Sequence, residues 1–198
     1  MKKSDIWIPG QARNDSLVTA NLRGFEIKFR TKPGVFSKHG LDLGSRLLIE
    51  MMEINNGSSV ADLGCGTGII GFVAAKLNTK GVTHLFDVNL RVINLAKENA
   101  KLNKLENIKV CLSDNFSAEA HRKYDLILSN PAQHLGNEYL EEATKACVDH
   151  LKENGHVYWV IQSRMKPFVK RLFEKYFSSH EIIANKEGYV VLKATKYG

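Results

Sequence analysis

The stretch Val60-Ala61-Asp62-Leu63-Gly64-Cys65-Gly66-Thr67-Gly68 decides the fold. Its first four residues form a short, mostly apolar run of the kind found in buried strands. Glycines at 64, 66 and 68 then permit a tight turn and let a ligand approach the backbone closely. From Thr67 to Leu77 the apolar residues Ile69, Phe72, Val73 and Leu77 recur at helical spacing. Strand, glycine-rich turn and helix in that order open an α/β unit with parallel strands.

The alternation continues on the C-terminal side. The spacing predicts strands over 83–86, 108–112, 124–128 and 156–161. Asn89 caps a predicted helix through Asn103, with Val92, Ile93, Ala96 and Ala100 on one face. Asn137 reads as the cap of another, which buries Leu140, Ala143, Cys147 and Leu151. Pro167 suits the first turn of a further helix. Segments 181–184 and 189–194 flank the turn Lys186-Glu187-Gly188, a hairpin pattern that makes the last strand antiparallel to the others.

On the N-terminal side, Phe25, Ile27 and Phe29 alternate with charged residues as a half-buried strand. Lys32-Pro33-Gly34 turns the chain, and Asp42 caps a helix carrying Leu43, Leu47 and Met51. Residues 1–20 show no period and read as a loosely held leader, with 21–198 as one domain. The expected fold is α/β: a Rossmann-like, doubly wound, mostly parallel sheet with an antiparallel last strand and a short N-terminal β/α extension.

Composition narrows the class of protein. A chain of 198 residues suits one domain with a real core. No apolar run approaches the roughly 18–20 residues that span a bilayer, and the N-terminus lacks the apolar segment of a signal peptide. Cys65, Cys111 and Cys147 match neither a zinc pattern nor a disulfide framework, which fits a reducing cytoplasm and predicts no metal. The net charge of +7 is spread along the chain. It favours a polyanionic partner, with nucleic acid first and plain solubility as the bland alternative. Monomer and homodimer both stay open.

The glycine turn selects among ligands. A dinucleotide fingerprint is Gly-x-Gly-x-x-Gly, whereas this turn is Gly-x-Gly-x-Gly with Asp62 before it. A carboxylate there repels a pyrophosphate and suits a ligand with an ammonium group, such as the methionine end of S-adenosylmethionine. Asp87, closing the second strand of the series and followed by Val88, can accept from both ribose hydroxyls. Asp114, after the third strand, can accept from the adenine amino group. Ser129-Asn130-Pro131 ends the fourth strand. The Asn130 side chain and the Pro131 carbonyl offer two acceptors that would aim the lone pair of an exocyclic amine at a methyl donor.

Together these residues resemble the class I S-adenosylmethionine-dependent methyltransferases. More narrowly, Pro33-Gly34-Val35-Phe36-Ser37, the run Leu41 to Leu48, the turn Asp62 to Gly68 and Ser129-Asn130-Pro131 are similar to the methyltransferase small domain of bacterial ribosomal RNA guanine-N2 methyltransferases and of single-domain archaeal relatives. The resemblance runs from Leu22 to Lys193. It implies that Asp62, Gly64 and Gly66 line the methionine part of the cofactor, that Asp87 holds the ribose, and that Cys65, Gly68, Val88 and Asn130 also bind the cofactor. Asp114 and Asn115 would lie by the adenine, Phe36 and Ser37 would close over the site, and Asn130 with Pro131 would face a target amine on RNA. The family usually reads Asn-Pro-Pro-aromatic, and this chain reads Asn130-Pro131-Ala132-Gln133-His134. Gln133 stacks poorly on a flipped base, and His134 either takes that role or is solvated. The departure keeps two alternatives in view: a methyltransferase for a small molecule or a protein amide, and a non-catalytic binder of cofactor or RNA.

Overall fold

The computed structural model describes residues 16–31 and 41–197. The strands are β1 (Ser16–Leu22), β2 (Phe25–Thr31), β3 (Ser59–Leu63), β4 (Val82–Asp87), β5 (Ile108–Leu112), β6 (Tyr124–Ser129), β7 (Leu151–Gln162), β8 (Ser179–Lys186) and β9 (Tyr189–Thr195). The α-helices are α1 (Leu43–Met51), α2 (Ile69–Leu77), α3 (Leu90–Leu102), α4 (Asn137–His150) and α5 (Lys166–Tyr176). β1 and β2 form a separate hairpin, and the other strands form one sheet in the order β5-β4-β3-β6-β7-β9-β8. β3 pairs in parallel with both β4 and β6, whereas β9 lies antiparallel between β7 and β8. The expected mostly parallel sheet with an antiparallel last strand is therefore observed. The chain winds outward from β3 to β5 and then returns to β6 on the other side of β3. A crevice between the carboxyl ends of β3 and β6 follows from that reversal, and ligands bind at such crevices.

Side chains alternate across the sheet because the strand period is two. Val60 of β3 belongs to a core shared with Leu48, Phe72, Ile93 and the hairpin residues Ile27 and Phe29. Ala61 and Leu63 face a second core with Leu140, Trp159, Leu172 and Phe173. Helices α1, α2 and α3 thus cover one face, and α4 and α5 the other.

Three expectations change. Ser16–Ala20 belong to β1, where Val18 pairs with Phe29 and Ala20 with Ile27, so the leader read over residues 1–20 does not extend through them. Asn137 is the first residue of α4 and not its cap; that place falls to Gly136, with φ 94°. β7 begins at Leu151, ahead of the predicted start at 156, and crosses an irregular register with β6. Asp42 and Asn89 do cap their helices: Asp42 accepts from the Ser45 amide at 2.9 Å and Asn89 from the Arg91 amide at 3.0 Å.

Candidate active site

The turn after β3 is fastened to β4. The Gly64 and Cys65 amides both donate to the Phe86 carbonyl at 2.9 Å. Gly64 has φ 71° and Gly66 φ 56°, left-handed values that favour glycine, and a Cβ on either would meet nothing within 4 Å. The space it would enter belongs to a cavity of about 350 Å³ at the carboxyl ends of the strands. That volume falls in the range of small-molecule sites.

One wall of the cavity carries Gly64, Gly66, Asp87, Val88, Asp114 and Asn115. Asp87 bridges the turn and the next helix: its Oδ2 accepts from the Gly66 amide at 3.2 Å and its Oδ1 from the Asn89 amide at 2.9 Å. Each carboxylate oxygen keeps a further lone pair for a ligand hydroxyl. Val88 exposes 68% of its surface at the rim, an apolar face for a planar ligand. The Asp87 carbonyl accepts from the Ser113 amide at 2.9 Å and draws in the loop that carries Asp114 and Asn115.

The opposite wall is built by Asn130, Ala132, His134, Leu135 and Tyr139. Asn130 Nδ2 donates to Asp42 Oδ1 at 3.2 Å and to Ser45 Oγ at 3.1 Å. Gln133, standing where the family carries an aromatic, turns its Oε1 away to accept the Gln162 amide of β7 at 2.8 Å. This anchors the short helical turn Gln133–Leu135 and leaves His134 and Leu135 exposed at the cavity. Tyr139 is half-buried on α4, and burial pushes its phenol pKa upward, with the Ala132 backbone beside it pulling it back. A smaller recess beside the cavity is lined by Asp42, Ser45, Cys65, Thr67 and Asn130, among others.

Several expected residues are placed differently. Asp62 is fully buried and lines neither cavity. It shares the sheet face of Val60, under α2, where its Oδ2 accepts from the Gly71 amide at 2.8 Å. Gly68 is the N-cap of α2 at φ 91°, lines neither cavity, and has no room for a Cβ, which would come within 2.4 Å of the Phe72 ring. Pro131 is buried, and its carbonyl accepts from the Gln133 amide at 2.8 Å within the loop, with one lone pair of the oxygen left over. Cys65 lines the smaller recess, and burial holds its thiol well above the usual range, which makes it a small filler and not a nucleophile. Phe36 and Ser37 lie outside the described residues.

Sequence reasoning passed over Asp42, Ser45 and Tyr139 as site residues. Asp42 was legible only as a helix cap, and nothing local to Ser45 or Tyr139 signals a cavity.

The switch-point crevice, the open glycine turn and an acidic residue closing β4 define the class I methyltransferase arrangement. The methyltransferase small domain model matches residues 26–193, and the chain belongs to this family of S-adenosylmethionine-dependent methyltransferases. It is 33% identical over 193 residues to the uncharacterized protein YbxB of Bacillus subtilis (strain 168), covering 95% of each chain. It is 31% identical over 175 residues to ribosomal RNA small subunit methyltransferase C of Erwinia tasmaniensis, covering 86% of this chain and 50% of that one. The chain thus spans about half the length of its methyltransferase C relatives. Among solved structures, the T. thermophilus 16S rRNA guanine N2 methyltransferase RsmC, in complex with AdoMet and guanosine, superposes with a TM-score of 0.80 at 23% identity, covering 92% of this chain and 50% of that one. That likeness bears on the fold.

Proposed function

We propose that the chain transfers a methyl group from S-adenosylmethionine to an exocyclic amine of a base in RNA, with guanine N2 of ribosomal RNA as the first target. The observation that carries this reading is the placement of Asn130. It lines, at the carboxyl end of β6, the same cavity as the open glycine turn and Asp87. The donor set fits the cofactor. Gly64 and Gly66 leave room beside their backbone for the methionine portion. Asp87 accepts from the ribose hydroxyls, the exposed Val88 covers one face of the adenine, and Asp114 and Asn115 lie at its edge. When bound, the cofactor supplies an electrophilic methyl group. Asn130 Oδ1 accepts one proton of the target amine and so orients its lone pair. An amine held in this way requires positioning and exclusion of water more than a strong base. The Gln133–Leu135 turn and Tyr139 form the wall against which the base lies.

Two observations support RNA as the substrate: the net charge of +7, and the ribosomal RNA methyltransferases among the relatives. Such a substrate puts the enzyme in the cytoplasm.

The test is methyl transfer from radiolabelled S-adenosylmethionine to RNA, protein and small-molecule fractions of cells lacking this protein. Label in ribosomal RNA that digests to N2-methylguanosine is expected. Asn130→Ala should lower turnover by roughly 100-fold or more with little change in cofactor affinity. Label confined to protein or small molecules would overturn the RNA substrate. No label with calorimetric cofactor binding intact would replace the enzyme by a non-catalytic binder.

A further inference from the structure

We propose that Asp42, the N-cap of α1, and Ser45, in its first turn, are positioning residues that hold the Asn130 amide with its oxygen toward the cavity. The proposal rests on the reading of Asn130 as the acceptor for the target amine.

An ionised carboxylate only accepts hydrogen bonds, so the atom that Asn130 turns to Asp42 is its amide nitrogen. The two hydrogens of that nitrogen have two recipients, Asp42 Oδ1 at 3.2 Å and Ser45 Oγ at 3.1 Å. Rotating the amide by half a turn would set its oxygen against the carboxylate. Among the described residues, Asn130 Oδ1 has no hydrogen-bond donor, which leaves it for a substrate. The frame is itself fixed. Asp42 Oδ1 also accepts from the Ser45 amide at 2.9 Å, and the Asp42 carbonyl accepts from the Arg46 amide at 3.1 Å. Ser45 is 5% exposed, and Leu48 and Ile49 of the same helix are fully buried. A helix cap and a β-strand terminus 88 residues apart thus share one carboxylate oxygen. Supporting groups on rigid elements are what holds a reacting side chain in its productive rotamer.

The variants separate this role from mere support of the fold. Asp42→Asn keeps a capping oxygen but makes its bond to Asn130 a neutral one, and a rotamer that turned its amide to Asn130 would give up the cap on Ser45. Ser45→Ala removes one recipient within an intact helix. Expected are losses in kcat of about 10–100-fold for Asp42→Asn and about 3–10-fold for Ser45→Ala, the scale of one charged and one neutral hydrogen bond. The cofactor Kd and the midpoint of thermal unfolding should stay near those of the native protein. The deciding measurement is the double variant: Asp42→Asn should cost nothing further in an Asn130→Ala background. An equal factor in both backgrounds, or full activity in Asp42→Asn, would overturn the positioning role while leaving Asn130 in place. Native activity in Asn130→Ala alone would instead remove the reading of Asn130, and the positioning role with it.

Discussion

Asp62 places a carboxylate where water does not reach. Burial is the main cause that raises its pKa to about 7; the Gly71 amide pulls it back, and the nearby Asp87 charge pushes it further up. Among the described residues its Oδ1 has no hydrogen-bond partner. A folded pKa above the ordinary value of 3.8 means that the folded state binds the proton more tightly. Stability from this group is therefore fully present below the ordinary value and is lost as pH rises through about 7. Asp62→Asn keeps an oxygen for the Gly71 amide and removes the titration. The native protein should lose on the order of a few kcal/mol relative to Asp62→Asn between about pH 4 and pH 7. Urea unfolding of both proteins across that window checks this, and parallel pH profiles would refute it. The acidic residue before the glycine turn was legible in the sequence, but its direction was not. Alternation from Val60 sends it under α2, and only the packing of that helix shows which sheet face is covered there.

At the scale of elements, the β1–β2 hairpin is held against α3 by two asparagines that act as substitutes for a neighbouring strand. Asn99 Oδ1 accepts the Arg30 amide at 2.7 Å and its Nδ2 donates to the Arg30 carbonyl at 3.2 Å. Asn103 repeats the pattern with Lys28 at 2.9 and 2.6 Å. Asn99 also donates to the Thr67 carbonyl at 3.1 Å, which links the hairpin to the glycine turn. Asn99→Ala should destabilise the protein by about 2–4 kcal/mol, since buried backbone groups lose their partners. Hydrogen exchange should accelerate at the Arg30 amide ahead of the sheet core; uniform acceleration would mean that the hairpin is not docked in this way. β1 escaped the sequence reading because its turn is unusual. Arg23 and Gly24 have φ 50° and 85°, a mirror-image turn that normally calls for Asn or Gly at the first place. Arg23 is held there by its guanidinium, which donates to the Ile49 and Met52 carbonyls at the end of α1 at 3.1 and 2.8 Å. A long-range contact thus offsets local strain.

For the whole molecule, the excess positive charge predicts how it meets its substrate. If RNA is bound through phosphate contacts, affinity should fall by about 10-fold or more between roughly 50 and 200 mM salt, as condensed counterions are released less favourably. Filter binding with a ribosomal RNA fragment measures this, and a salt-independent affinity would point to a substrate without a phosphate backbone. The fold was largely legible because hydrophobic periodicity is local. Periods of two and of three to four, glycines at 64 and 66 and the caps Asp42 and Asn89 are readable in any window, and they suffice for a doubly wound sheet with an antiparallel last strand. They also place Asp87 and Asn130 at strand ends, since a residue that follows an apolar run comes out at the sheet edge. The sequence by itself determined the class of fold and the strand ends that carry the site. Tertiary structure alone decided which side chains meet: Asp62 inside the core, Gln133 on β7, and Asn130 between Asp42 and Ser45. The physical reason is that such pairings depend on strand order and on the covered face of each element, and both are fixed only when the packed layers close.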